Sequence, residues 1–126
     1  MFLYITLGTN DLNRARRFYD AVMPTIGQAM RAGTESEIGY GPASDGRTRL
    51  WITLPFDSKP ATVGNGSMPA FEAPSRSAVD AFYKAALTHG GTDEGAPGLR
   101  YSANFYSCYV RDPDGNKLSA VCDKPE

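Results

Sequence analysis

Phe18-Tyr19-Asp20-Ala21 and Phe82-Tyr83-Lys84-Ala85 lie 64 residues apart. The same offset joins Asp11 to Ser75, Gly27 to Gly91 and Leu7 to Phe71. A fixed period of this length marks a fold built from two copies of one unit, neither of which buries its apolar face alone. Two half-cups make one cup, so the paired positions are where a site is expected.

Working outward from the first copy, residues 2–9 are rich in β-formers and read as a strand. Asn10 or Asp11 can cap the helix that follows. Its apolar residues Leu12, Ala15, Phe18, Tyr19, Val22 and Met23 recur at helical spacing, which predicts a helix from about Leu12 to Ile26. Pro24 kinks it or ends it early, and Gly27 is a C-terminal stop. Three short strands fit residues 28–33, 36–41 and 48–54. Residues 55–66 hold Pro and Gly without a period and read as a linker.

The second copy repeats the order. A strand over 67–71 contains Pro69, which suggests an edge or irregular pairing. Ser75 caps a helix running to about His89, and Gly90-Gly91 stops it. Residues 92–104 read as loop with one short strand near 99–102. Residues 105–111 and 116–122 form a hairpin around Asp112-Pro113-Asp114-Gly115, whose turn role accounts for each of those four residues. The expected fold is α+β: two βαβββ repeats forming a curved eight-stranded sheet around a central cup, helices on the outer face. One domain covers 1–126, with repeat one over about 1–55, the linker over about 55–66 and repeat two over about 67–126.

A formal net charge of −1 and the lack of a basic cluster argue against nucleic acid. No apolar run approaches the ~20 residues that span a bilayer, which argues against a membrane. The N-terminus lacks the features of a signal peptide. Cys108 and Cys122 give no disulfide framework, and Cys108 should pair near residue 119 or 120, not with Cys122. A cytoplasmic protein with reduced thiols is expected.

Three stretches carry a resemblance. They are Ile5-Thr6-Leu7-Gly8-Thr9-Asn10-Asp11-Leu12 with Phe18-Tyr19-Asp20-Ala21, then Gly90 through Arg100, and finally Tyr109-Val110-Arg111-Asp112-Pro113-Asp114-Gly115-Asn116-Lys117-Leu118. In this order the chain resembles the vicinal oxygen chelate superfamily of glyoxalase I, bleomycin-resistance proteins and extradiol dioxygenases. The resemblance implies a cup between the repeats and, in metal-dependent relatives, a divalent ion held by His, Gln and Glu from the first and last strand of each copy. Here those places carry Tyr4, Met68 and Ser119, and the strand around Leu50-Trp51-Ile52-Thr53-Leu54 has no acid, His or Gln. A neutral Tyr or Ser and a Met are poor ligands for hard divalent ions. No metal and no cofactor is therefore expected. The sole histidine, His89, reads as a helix C-terminal group rather than a ligand. Glu35, Glu37 and Glu72 read as solvated charges.

Strand parity puts Tyr4, Thr6 and Gly8 on the cup face, with Leu3, Ile5 and Leu7 toward the helix. It likewise turns Met68, Ala70, Ser119 and Val121 inward. Arg100 follows a Gly-Ala-Pro-Gly loop and suits a carboxylate or phosphate, with an ordinary surface Arg as the equal alternative. Trp51 is a pocket wall or, by preference, core. The candidate ligand-binding set is Tyr4, Thr6, Trp51, Met68, Arg100 and Ser119, with the catalytic residues unassigned. The first reading is a non-metal member binding a small organic molecule between the repeats. The alternatives are a metal-dependent lyase or dioxygenase of the glyoxalase I type, or a metal-free isomerase or lyase. By analogy with relatives, a homodimer is expected.

Overall fold

The computed structural model describes all residues, Met1–Glu126, and divides the eight strands into two four-stranded mixed sheets. The first contains β1 (Ile5–Gly8), β2 (Gln28–Gly33), β3 (Glu37–Pro42) and β4 (Leu50–Thr53), in the order β1-β4-β3-β2. The second contains β5 (Ala70–Glu72), β6 (Thr92–Leu99), β7 (Tyr106–Arg111) and β8 (Lys117–Cys122), in the order β5-β8-β7-β6. In each, the first strand runs parallel to the last, and the remaining pairs are antiparallel. Each half is thus strand, helix and three strands.

The helices start alike because their caps are alike. Asp11 accepts from the backbone N–H of Arg14 at 3.0 Å and begins α1 (Leu12–Val22). Ser75 accepts from the backbone N–H of Ala78 at 3.1 Å and begins α2 (Arg76–Thr88). Each satisfies an otherwise orphaned donor of the first turn. The α1 helix ends before Pro24, and Met23–Ile26 tightens into a 3₁₀ turn closed by Gly27 at φ 80°. Gly90, at φ 97°, turns the chain out of α2. His89 sits at the end of α2 with its Nδ1 2.8 Å from the Ala85 carbonyl oxygen, as its position predicts.

Both helices and both sheets share a single core. Ala15, Phe18, Tyr19 and Val22 from α1 meet Ala78, Val79, Phe82 and Ala86 from α2 over Ile38, Leu50, Ile52, Cys108, Val110, Leu118 and Ala120. Repeat mates Phe18 and Phe82 are both fully buried. Phe18 reaches into the second half: a Cβ at Gly91 would stand 2.9 Å from its ring. Truncating either ring to alanine costs about 3–5 kcal/mol in a core of this kind.

Residues 92–104 depart from the expected loop, since β6 spans eight of them. Its ladder slips between Asp93 and Gly95 and again between Gly95 and Gly98. These bulges take Pro97 out of register, so its missing N–H costs no ladder bond. Cys108 pairs with Ala120, as expected, and both cysteines are free. No helix is long and apolar enough to cross a membrane.

Candidate functional site

The parity of β1 holds. Ile5 and Leu7 pack against the core, while Thr6 is exposed on the opposite face. In register beside it lie Trp51 on β4 and Gly39 on β3. Trp51 therefore lies on the sheet face opposite the core and is not a core residue; its neighbours Leu50 and Ile52 take the core side. Its ring lies against Gly39, where a Cβ would come within 2.9 Å of it. The corresponding row of the second sheet is Ala70, Ser119 and Tyr109. Ser119 is fully buried, and its hydroxyl has no hydrogen-bond partner.

Arg100 is neither a free surface group nor an open anion receptor. Its guanidinium donates to the Ala96 carbonyl at 2.7 Å, to the Gly98 carbonyl at 3.3 Å and to the Ser107 carbonyl, and it lies 5.0 Å from the centre of the Tyr109 ring. The side chain straps the bulged end of β6 to β7, so most of its donors are already engaged.

The two halves are fastened by the turn between β7 and β8, which has a larger role than shaping a hairpin. Asp114 accepts from the Thr9 hydroxyl at 2.5 Å, from the Asn10 backbone N–H at 2.9 Å and from Arg14 at 2.7 Å. Asn116 donates to the Gly8 carbonyl at 3.0 Å and to Asp112 at 2.9 Å. Asp112 also accepts from the Tyr19 hydroxyl at 2.5 Å. Burial pushes the Asp112 carboxyl upward against the lowering effect of these donors. Burial, and then the neighbouring carboxylate, push the Tyr19 phenol well above its ordinary value.

Beside this clasp opens a polar cavity of about 210 Å³. Thr6 and Gly8 line it from β1, Asn116 and Lys117 from the closing hairpin, Thr62 from the linker and Ser67 from the start of the second repeat. The linker is held there by Asn10, which donates to the Ala61 carbonyl at 3.1 Å and accepts from the Ala61 N–H at 2.6 Å. Gly8 permits that approach, because its Cβ would stand 3.0 Å from the Ala61 Cβ. A second, apolar cavity of about 240 Å³ lies between Phe2, Tyr4 and Ile5 on one side and Ala70 and Phe71 on the other, over Met23 and Ile26.

The six candidate residues thus do not converge. Thr6 lines the polar cavity and Tyr4 the apolar one, while Trp51, Met68, Arg100 and Ser119 line neither. Sequence reasoning missed Asn116, Lys117, Thr62 and Ser67 as cavity walls. Asn116-Lys117 lay inside the closing signature, but the linker has no periodicity to betray its path.

The donor set does not fit a divalent ion. Tyr4 and Met68 are about half and one-third exposed, at 51% and 38%, whereas Ser119 is buried. No group of three or more His, Cys, Asp or Glu is placed to hold an ion.

Comparison with known proteins supplies a further finding. The family model described as Glyoxalase/Bleomycin resistance protein/Dioxygenase superfamily matches residues 2–119. A glyoxalase/bleomycin resistance protein from Albidiferax ferrireducens T118 is 41% identical, with TM-score 0.87 over 96% of this chain and 97% of that one. A glyoxalase-related enzyme from Fulvimarina pelagi is 23% identical, with TM-score 0.74 over 96% and 86% of the two chains. A genomically encoded fosfomycin resistance protein from Listeria monocytogenes is 19% identical, with TM-score 0.67 over 98% and 90%. The last two likenesses concern the fold alone. None of the curated proteins matches the chain.

Proposed function

The chain belongs to the Glyoxalase/Bleomycin resistance protein/Dioxygenase superfamily, and from that premise we propose that it binds a small organic molecule in the polar cavity between its two repeats. The observation that carries this reading is the cavity itself, which is walled by both repeats and roofed by the linker. Binding here needs no metal, and the residues at the family's ligand places support a metal-free site. Pockets for drug-sized ligands span roughly 300–1,000 Å³. A cavity of about 210 Å³ suits a smaller metabolite.

The test is a thermal-shift screen of a metabolite library, run beside elemental analysis of the purified protein. A ligand that binds the folded state raises the melting temperature by mass action. A hit whose effect disappears when Thr6 is replaced by Val supports the reading. One tightly bound transition metal per chain would replace it with a metal-dependent lyase or dioxygenase.

A homodimer is part of the same reading. Phe2, Leu3 and Tyr4 expose 71%, 59% and 51% of their surface next to the apolar cavity, a contiguous patch that suits burial by a second copy. Light scattering on the eluting protein tests it, and a monomeric mass at micromolar concentration would remove it.

A further inference from the structure

We propose that the molecule held in the polar cavity is a small anion, whose carboxylate or phosphate-type group is gripped by Lys117. The proposal rests on the cavity reading above and adds the chemical class of its ligand.

The charge balance of the site is one-sided. The cavity has Lys117 in its wall and no Asp or Glu. Four ion pairs occur in the protein, and they engage Arg14, Arg49, Arg76 and Arg111 rather than Lys117. The carboxylates of the adjoining turn are already committed to the clasp, and Glu94 is paired with Arg111, the cross-strand neighbour of Lys117. Asp114 takes Thr9, Asn10 and Arg14, and Asp112 takes Tyr19 and Asn116.

Lys117 is also positioned. Its ammonium lies 5.7 Å from the centre of the Tyr109 ring, and the same ring carries the Arg100 guanidinium at 5.0 Å. Two cations on one ring make this end of the cup electropositive. Lys117 is half-buried and takes part in none of the protein's ion pairs, so an entering anion would give its ammonium a partner. The same cavity is also lined by Thr6, Thr62 and Ser67, whose hydroxyl groups are able to donate to anionic oxygens. A cavity lined by one lysine, three hydroxyl side chains and no carboxylate favours negative charge.

The test is an amide-resonance titration of the wild-type, Lys117→Gln and Lys117→Arg proteins with pyruvate, methylphosphonate and the neutral pyruvamide. At least one of the two anions should move the Thr6, Gly8 and Asn116 resonances of the wild type. Its affinity should fall about tenfold or more in Lys117→Gln, the scale of one lost charge-assisted contact, and stay within about threefold in Lys117→Arg. Pyruvamide binding as tightly as pyruvate, with Lys117→Gln unchanged, would overturn the anion and leave the cavity as a neutral-ligand site. If no probe moves those three resonances, or if shifts occur only elsewhere, the anion assignment and the cavity reading both fail. The amide spectrum of each variant reports its folding in the same experiment.

Discussion

The Tyr19 hydroxyl donates to Asp112 Oδ2 at 2.5 Å, and the two residues are 93 positions apart in the chain. This bond joins the first helix of one repeat to the closing hairpin of the other. Together with the Thr9, Asn10 and Arg14 contacts to Asp114, it fixes how the repeats meet. The position of the polar cavity follows from that fixation, because Asn116 of the same turn both walls the cavity and holds the Gly8 carbonyl.

Tyr19→Phe should therefore destabilise the protein by about 1–3 kcal/mol, since it leaves a buried carboxylate short of a donor. Denaturant unfolding measures the loss. A double-mutant cycle with Asp112→Asn should give a coupling energy of about 0.5–3 kcal/mol, as expected for residues in contact. Strict additivity would mean that the bond contributes nothing.

The pH dependence of the clasp should run opposite to that of most carboxylates. Burial raises the native Asp112 value above that of the unfolded chain. Between the two values the native state binds more protons, so this group's contribution to stability falls as pH rises. The stability of wild type minus that of Asp112→Asn should thus decrease with rising pH from about 4 upward. An increase over that window would contradict the raised direction.

Arg100→Lys should loosen β6 although the charge is kept. A lysine cannot reach the Ala96, Gly98 and Ser107 carbonyls together, as the guanidinium does. Amide exchange of Gly95, Ala96, Gly98 and Leu99 should accelerate about tenfold or more, equivalent to losing roughly one net hydrogen bond. Unchanged exchange would show that the strand holds without its strap.

Gly41→Ala should be severe. A Cβ there would stand 1.8 Å from the Arg47 carbonyl oxygen, a backbone atom that no rotamer change moves away. Overpacking of this kind costs about 1–3 kcal/mol. The chain beyond β3 would have to shift, and the fluorescence of Trp51, the protein's one tryptophan, reads that shift directly. An unaltered emission maximum with full stability would contradict the close approach.

Cys108 should be inert to thiol reagents in the native protein. Its thiol is fully buried and pushed up to about 11 by that burial, so little thiolate exists near neutral pH. Labelling at pH 8 should appear only when denaturant is added. Rapid labelling of the native thiol would place Cys108 at the surface.

Much of the fold was legible because its signals are local. Asp11 and Ser75 cap helices through atoms three residues away, and the apolar faces repeat every three or four residues. The duplication then doubled each signal. The parity of β1 likewise separates Thr6 from Ile5 and Leu7, which pack on the core. Two readings failed where locality ended. Thr92–Leu99 carries Gly, Pro and acids without alternation, and it is a strand because β7 and Arg100 supply its partners. Trp51 reads as core by preference, yet its flanking Leu50 and Ile52 occupy that side, so it lies on the opposite sheet face.

By itself the sequence determined the two units, their caps and their helix faces. The tertiary structure alone decided that Asp112, Asp114 and Asn116 bind the halves together, that the linker roofs a cavity, and that Lys117 stands in its wall without a counter-charge. The physical reason is separation along the chain. Caps and periodicity act within a turn or two, whereas a cavity depends on which faces meet across roughly a hundred residues.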